Sequence, residues 1–174
     1  MSLFDFNDAE DFKTFEPIPH GTLAKVNLTI QPGGYNDLLK GYTNGLATQS
    51  KTGAIYLKCE FIVIQGEYDK RKIWSLIGLH SPKGPEYHQM GRSFIKSILN
   101  SANGLFTKDV SEAAQKKRTL TDLGNLNNLV FVARIDITED DKGKAKNEIR
   151  VAITADDPNY QKVMGGLPDD EIPF

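Results

Sequence analysis

At 174 residues, with 39% hydrophobic and 25% charged side chains, the chain has room for one domain with tails and sits near ordinary globular usage. A single cysteine, Cys59, excludes an internal disulfide framework, and three histidines are a poor start for a metal site. The net charge of −2 hides a segregation: residues 1–16 and 155–174 each carry five acids and one base, leaving 19 bases against 13 acids in 17–154. Acidic ends around a basic middle point that middle at a polyanion. No apolar run approaches the roughly 18 residues of a membrane span, and the acidic start lacks the order of a secretory signal. A cytoplasmic, reducing location without membrane contact is expected.

Pro17 and Pro19 mark an extended lead-in. Residues 22–31 then alternate, Ala24, Val26, Leu28 and Ile30 against Leu23, Lys25, Asn27 and Thr29, which predicts a half-buried strand. Residues 32–53 hold five glycines and are expected to form a long loop with a short helix at 37–40. Residues 54–66 form the second strand, with Ile55, Leu57, Cys59, Phe61 and Val63 on one face and Tyr56, Lys58, Glu60 and Ile62 on the other. GEYDKR is a hairpin turn. The third strand, 72–80, sets Ile73, Ile77 and Leu79 against Lys72, Trp74, Leu76 and His80.

After SPKGP the period changes. Met90, Phe94, Ile98 and Ala102 step by four, with Ile95 and Leu99 beside them, which predicts one amphipathic helix over 86–102, stopped at Asn103-Gly104. Residues 107–127 read as a polar connector with room for a short helix. Two strands at 128–138 and 147–154, joined by EDDKGKAK, complete the series. Three strands, a helix and two strands is the order of the OB-fold: a mainly-β, five-stranded Greek-key barrel with one amphipathic helix between strands 3 and 4. A generic antiparallel sheet with one helix gives the same order. The domain reading is an acidic segment at 1–16, a barrel at 17–154 and an acidic tail at 155–174.

With the aliphatic faces turned inward, Tyr56, Lys58, Lys72 and Trp74 face outward. Rings on a basic surface suit single-stranded nucleic acid, whose unpaired bases stack while lysine and arginine track the phosphates. The first loop adds Tyr35, Lys40, Tyr42 and Lys51. The last hairpin adds Lys142, Lys144 and Lys146, and Arg150 lies on the final strand. Arg92, Lys96 and the run Lys116-Lys117-Arg118 are expected to be solvated surface. GGYNDLLKGY lacks the Gly-Lys-Ser/Thr ending of a phosphate cradle, and no Ser-His-Asp or Cys-His pairing stands out. The expectation is a non-enzymatic binding protein with no metal or cofactor.

The segment DDEIPF at 169–174 resembles the acidic tip of bacterial single-stranded DNA-binding proteins, where acids precede Ile-Pro-Phe at the very C-terminus. In that family the tip recruits replication, recombination and repair proteins. The phenylalanine enters an apolar pocket, a basic residue takes its carboxylate, and the acids meet a basic rim. The resemblance implies that Asp169, Asp170, Glu171, Ile172, Pro173 and Phe174 form a protein-interaction tip. FDFNDAE, FEPIPHGT, GEYDKRKIW and GLHSPKGPE further resemble a phage-encoded family related to those proteins, which implies a viral or prophage origin and action in a bacterial host's cytoplasm. The long linker of the bacterial family is replaced here by ADDPNYQKVMGGLP, so the tail's reach and the family's homotetramer are not carried over, and a homo-oligomer stays open. The expectation is a protein that coats and protects single-stranded DNA in phage replication, recombination or repair and recruits host or phage proteins through its tip. The alternative is an adaptor or inhibitor whose tail mimics the host tip and occupies its partners' pockets.

Overall fold

Aliphatic alternation sets the central strands. In the computed structural model, which describes residues 3–11 and 16–165, β1 spans Thr22–Gln31 and buries Ala24, Val26, Leu28 and Ile30. β4, Ile55–Val63, buries Ile55, Leu57, Cys59, Phe61 and Val63, and β5, Lys72–His80, buries Ile73, Ser75, Ile77 and Leu79. These are the faces the alternation predicts. β5 pairs along one edge of β4. β1 takes most of the other edge, from Val26 opposite Val63 to Gln31 opposite Lys58. β1 also pairs β6, Val130–Glu139, which pairs β7, Ala145–Ile153. Every pairing is antiparallel. The sheet curls into a half-barrel that brings β7 back toward β5, where the Ile149 amide donates to Ser75 Oγ at 2.8 Å. Phe61 centres the core, edge-on to Phe131 at 5.8 Å between ring centroids.

The glycine-rich stretch is a hairpin, not a loop. β2, Tyr35–Asp37, runs into a 3-10 turn at Leu38–Lys40 and returns as β3, Tyr42–Gln49, which extends the edge of β4 beyond β1 at Thr48–Tyr56 and Gln49–Ile55. The hairpin is short and mostly half-exposed, so its sequence shows no aliphatic alternation. Four of the stretch's glycines, Gly34, Gly41, Gly45 and Gly53, take positive φ, and the fifth serves close approach: a Cβ on Gly33 would lie 1.7 Å from Thr48 Oγ1. The rings of Tyr35 and Tyr42 pack at 6.4 Å across it.

Helix α1, Glu86–Asn103, ends on Gly104 in the left-handed region, as the sequence predicts. Most of the expected face packs inward, with Phe94, Ile95 and Ala102 against the core, and only its first residue departs. Ile98 and Leu99 are buried, but Met90 is 70% exposed. The cause is a backbone contact with β5. A Cβ on Gly91 would sit 1.7 Å from the carbonyl oxygen of Gly78, and one on Gly78 would sit 2.7 Å from the ring of Tyr87. The helix therefore lies on the strand through Gly91, which turns Met90 to the side.

The connector holds α2, Glu112–Lys117, capped by Ser111 Oγ accepting from the Ala114 amide, and a 3-10 turn at Leu123–Leu126. Arg118 is not solvated surface as expected. Its guanidinium donates to Asn100 Oδ1 at 2.7 Å and to the carbonyls of Asp109 and Phe106, tying residues 106–109 to α1. The segment expected to be tail from residue 155 also begins as structure: α3, Tyr160–Met164, packs on β1 and β6. The Tyr160 hydroxyl donates to the Ser101 carbonyl, and Gln65 Nε2 to that of Val163 at 2.6 Å. One buried tyrosine in a short polar segment leaves no periodic signal. The tip at 169–174 lies outside the described residues. Among those described, no helix is long and apolar enough to cross a membrane.

The backbone contact of α1 makes a direct prediction. Gly91→Ala forces the helix off β5 and destabilises the fold by about 1–3 kcal/mol, the usual range for overpacking a tight contact. Thermal unfolding checks this: the melting temperature drops by several degrees, whereas an unchanged one contradicts the contact.

Candidate nucleic-acid interface

The outward face of β4 and β5 follows from their register. Lys58 lies opposite Leu76, Glu60 opposite Trp74, and Ile62 opposite Lys72. Since the other face is filled by the core, these side chains are turned to solvent, and Trp74 is 56% exposed. Glu60, the acid of this group, is partly satisfied within the sheet: Lys72 Nζ lies 3.9 Å from Oε1, and Gln31 Nε2 donates to Oε2 at 3.2 Å.

β7 supplies a second wall through Lys146, Glu148 and Arg150. Arg150 owes its position to a bulge. Arg134 pairs with Val151 and Ile135 with Ile149, so Arg150 has no opposite residue. Such an extra residue bends the strand and re-aims its side chain. Behind it lies Asp136, 1% exposed, which accepts from Arg134 Nε at 2.9 Å and from its second guanidinium nitrogen at 3.2 Å. The hydrogen bond to Asp136 raises the pKa of Arg134 further. Arg150 stands 4.0 Å from the same carboxylate, and His20 Nε2 lies 3.8 Å from it. The Ile137 amide donates to His20 Nδ1, so the neutral ring carries its proton on Nε2, toward Asp136. A buried carboxylate thus fixes the base of the cationic wall.

α1 closes the third side with Tyr87, Met90 and Phe94. The three walls bound an open groove of about 650 Å³. It joins four residues singled out from the sequence: Lys58, Trp74, Lys146 and Arg150. A flat ring finds Trp74, Leu76 and Met90 on its walls, and an anion finds three cations against Glu148.

The remaining candidates lie elsewhere. Lys72 sits farther along β5 beside Glu60. Tyr56 is half-buried next to Tyr87, whose phenol is raised first by burial and then by that neighbour. Tyr35 packs inside the β2–β3 hairpin. Lys40 and Tyr42 line a separate depression on the other flank of α1. Lys51 is exposed in the turn after β3. Lys142 and Lys144 are exposed at the last hairpin, where their backbone amides each donate to Asp140 Oδ1 at 2.9 Å and hold its carboxyl below the usual range.

Tyr87 and Met90 are the groove residues that sequence reasoning missed or gave to the core. The signal for them is the pair of glycines, Gly78 inside a strand and Gly91 inside a helix, since glycine at such positions marks a close backbone approach. No protein-family model matches the chain, and no curated protein matches it.

An exposed tryptophan in a preformed groove carries little of the fold. Trp74→Ala is expected to change stability by no more than about 0.5 kcal/mol, as for other surface substitutions. A thermal melt and circular dichroism check this: cooperative loss of structure places Trp74 in the core and inverts the face assignment.

Proposed function

We propose that the chain binds single-stranded DNA in the groove between β5, β7 and α1, and that it coats and protects the strand without acting on it chemically. The observation that carries this reading is Trp74, exposed in a groove whose walls supply Lys58, Lys146 and Arg150. Base stacking on aromatic rings contributes roughly 1–3 kcal/mol per base and tolerates any sequence, while the cations track the backbone. A duplex hides its base faces and loses the stacking term.

The fold reads best as an OB-fold barrel. In support, the strands β1, β4, β5, β6 and β7 are joined in the order β5-β4-β1-β6-β7, with β5 and β7 drawn together, and α1 falls between the third and fourth of them. The β2–β3 hairpin is then an insertion between the first and second barrel strands. The DDEIPF segment serves as the docking motif for replication, recombination or repair proteins of the host or phage. Its aromatic anchor, rigid proline and acidic flank suit an apolar pocket with a basic rim.

Fluorescence anisotropy with a labelled oligonucleotide of about 15 nucleotides, within the site range of such folds, tests the binding. The single strand is expected to bind at least about tenfold more tightly than a duplex of equal length, the equivalent of losing one stacked base. With three cations engaged, log K falls by about 2 per decade of salt, at ~0.7 per phosphate neutralised. Equal affinity for the duplex defeats the stacking argument. For the tip, calorimetry of a 169–174 peptide against a bacterial repair protein that recognises acidic tips is expected to show binding that Phe174→Ala abolishes. Equal binding of both peptides removes the docking role.

A further inference from the structure

The flank of α1 away from Trp74 carries a second channel. Three depressions of 340 to 510 Å³ follow one another along it. The first and second share Lys40, Tyr42 and His88, and the second and third share Arg92, Ile95 and Leu123, so they join end to end. The floor is aliphatic, from Leu79 through Ile95 to Leu99. The rim sets Lys40, Arg92, Lys96 and Arg118 against a single carboxylate, Asp122.

That carboxylate is already engaged. Asp122 Oδ1 accepts from the Gly124 amide at 2.5 Å, and Oδ2 accepts from Thr43 Oγ1 and Asn44 Nδ2, each at 3.1 Å. Arg118 is held internally as described. Lys40, Arg92 and Lys96 have no carboxylate within 4.0 Å among the described residues. Arg92 and Lys96 are four residues apart on α1, about 6 Å along its axis, and form an exposed row. The channel and the Trp74 groove reach Gly78 from the two flanks of α1, which sits on that glycine through Gly91 and the Tyr87 ring, so a passage between them runs around the N-terminal end of the helix, where the channel reaches Gly84 and Pro85.

We infer that this channel is a second stretch of the path for single-stranded DNA, continuous with the first. The strand leaves Trp74, rounds the N-terminal end of α1 at Pro85, and runs along the opposite flank. Its phosphates lie on Lys40, Arg92 and Lys96 and its bases over the aliphatic floor, with the ring of Tyr42 at the mouth. Two features favour nucleic acid over an acidic peptide: the position across one helix from a groove that bears an exposed indole, and cations spaced along a track rather than gathered around one pocket. The inference rests on the function proposed above. It predicts that the site exceeds what the Trp74 groove holds alone, so length dependence separates the two claims.

The test uses anisotropy with labelled thymidine oligomers of about 5 and about 15 nucleotides, chosen near the ends of the range for one such fold. Three proteins are compared: the full chain, Arg92→Glu/Lys96→Glu, and Lys116→Glu/Lys117→Glu. The last pair makes the same charge change on α2, at residues that do not line the channel. Thermal melts verify that all three fold. For the 15-mer, Arg92→Glu/Lys96→Glu is expected to weaken binding at least about tenfold and to flatten the salt slope by about 1.4, two phosphates at ~0.7 each. The same variant changes 5-mer binding less than about twofold, and the α2 pair costs the 15-mer no more than about threefold, both being effects of charge at a distance across a screening length. An unchanged 15-mer affinity, or an equal loss from both double variants, overturns the second path and leaves the first groove standing. Failure of the unmodified chain to bind either oligomer overturns both.

Discussion

The contact between Gly78 and Gly91 is the constraint on which the functional surface depends. A strand and a helix meet there without side chains between them, because a methyl on either residue collides with its neighbour. β5 and β7 approach each other with Ser75 Oγ accepting from the Ile149 amide, and α1 packs on β5, β6 and β7 across that approach. A larger residue at either glycine lifts the helix and opens the seam. The same contact sets the helix's rotation, so that Tyr87, Met90 and Phe94 face one groove while His88, Arg92 and Lys96 face the other flank. One backbone approach thus closes the core and shapes two surfaces.

Electrostatics fixes the cationic walls from behind. A buried carboxylate costs several kcal/mol unless paired and hydrogen-bonded. Asp136 meets that condition through two bonds from Arg134, with Arg150 and His20 nearby. The arginine at the bulge stands 4.0 Å from that carboxylate, at the edge of the groove, with its side chain 57% exposed. Arg118 plays a comparable part at the other end of α1, where three bonds secure the residues after the helix. Basic side chains in this chain divide into those that hold the framework and those left exposed, and their numbers in the sequence do not distinguish the two.

The parts of the fold legible in the sequence are those in which one physical signal dominates. β1, β4 and β5 bury mostly apolar alternating faces, so alternation located them and, by complement, exposed Lys58 and Trp74. The β2–β3 hairpin escaped because glycines, needed for left-handed backbone and one close approach, interrupt its pattern. α3 escaped because a single tyrosine anchors a polar segment. Met90 was read as core because a step of four cannot reveal how a helix is turned about its axis; Gly91 decides that through a residue distant in sequence. The third wall of the groove is a tertiary product in the same sense. Strand periodicity gave one part of the groove, and helix placement gave the rest.

Trp74, the sole tryptophan, reports on the groove directly. Its fluorescence, titrated with a single-stranded oligonucleotide at low salt, is the sharpest test of whether the groove is a base-stacking surface. Saturable quenching, with the emission shifting as the ring leaves water, is the predicted result. Emission that stays constant while anisotropy reports bound oligonucleotide places the strand elsewhere on the protein and contradicts the account.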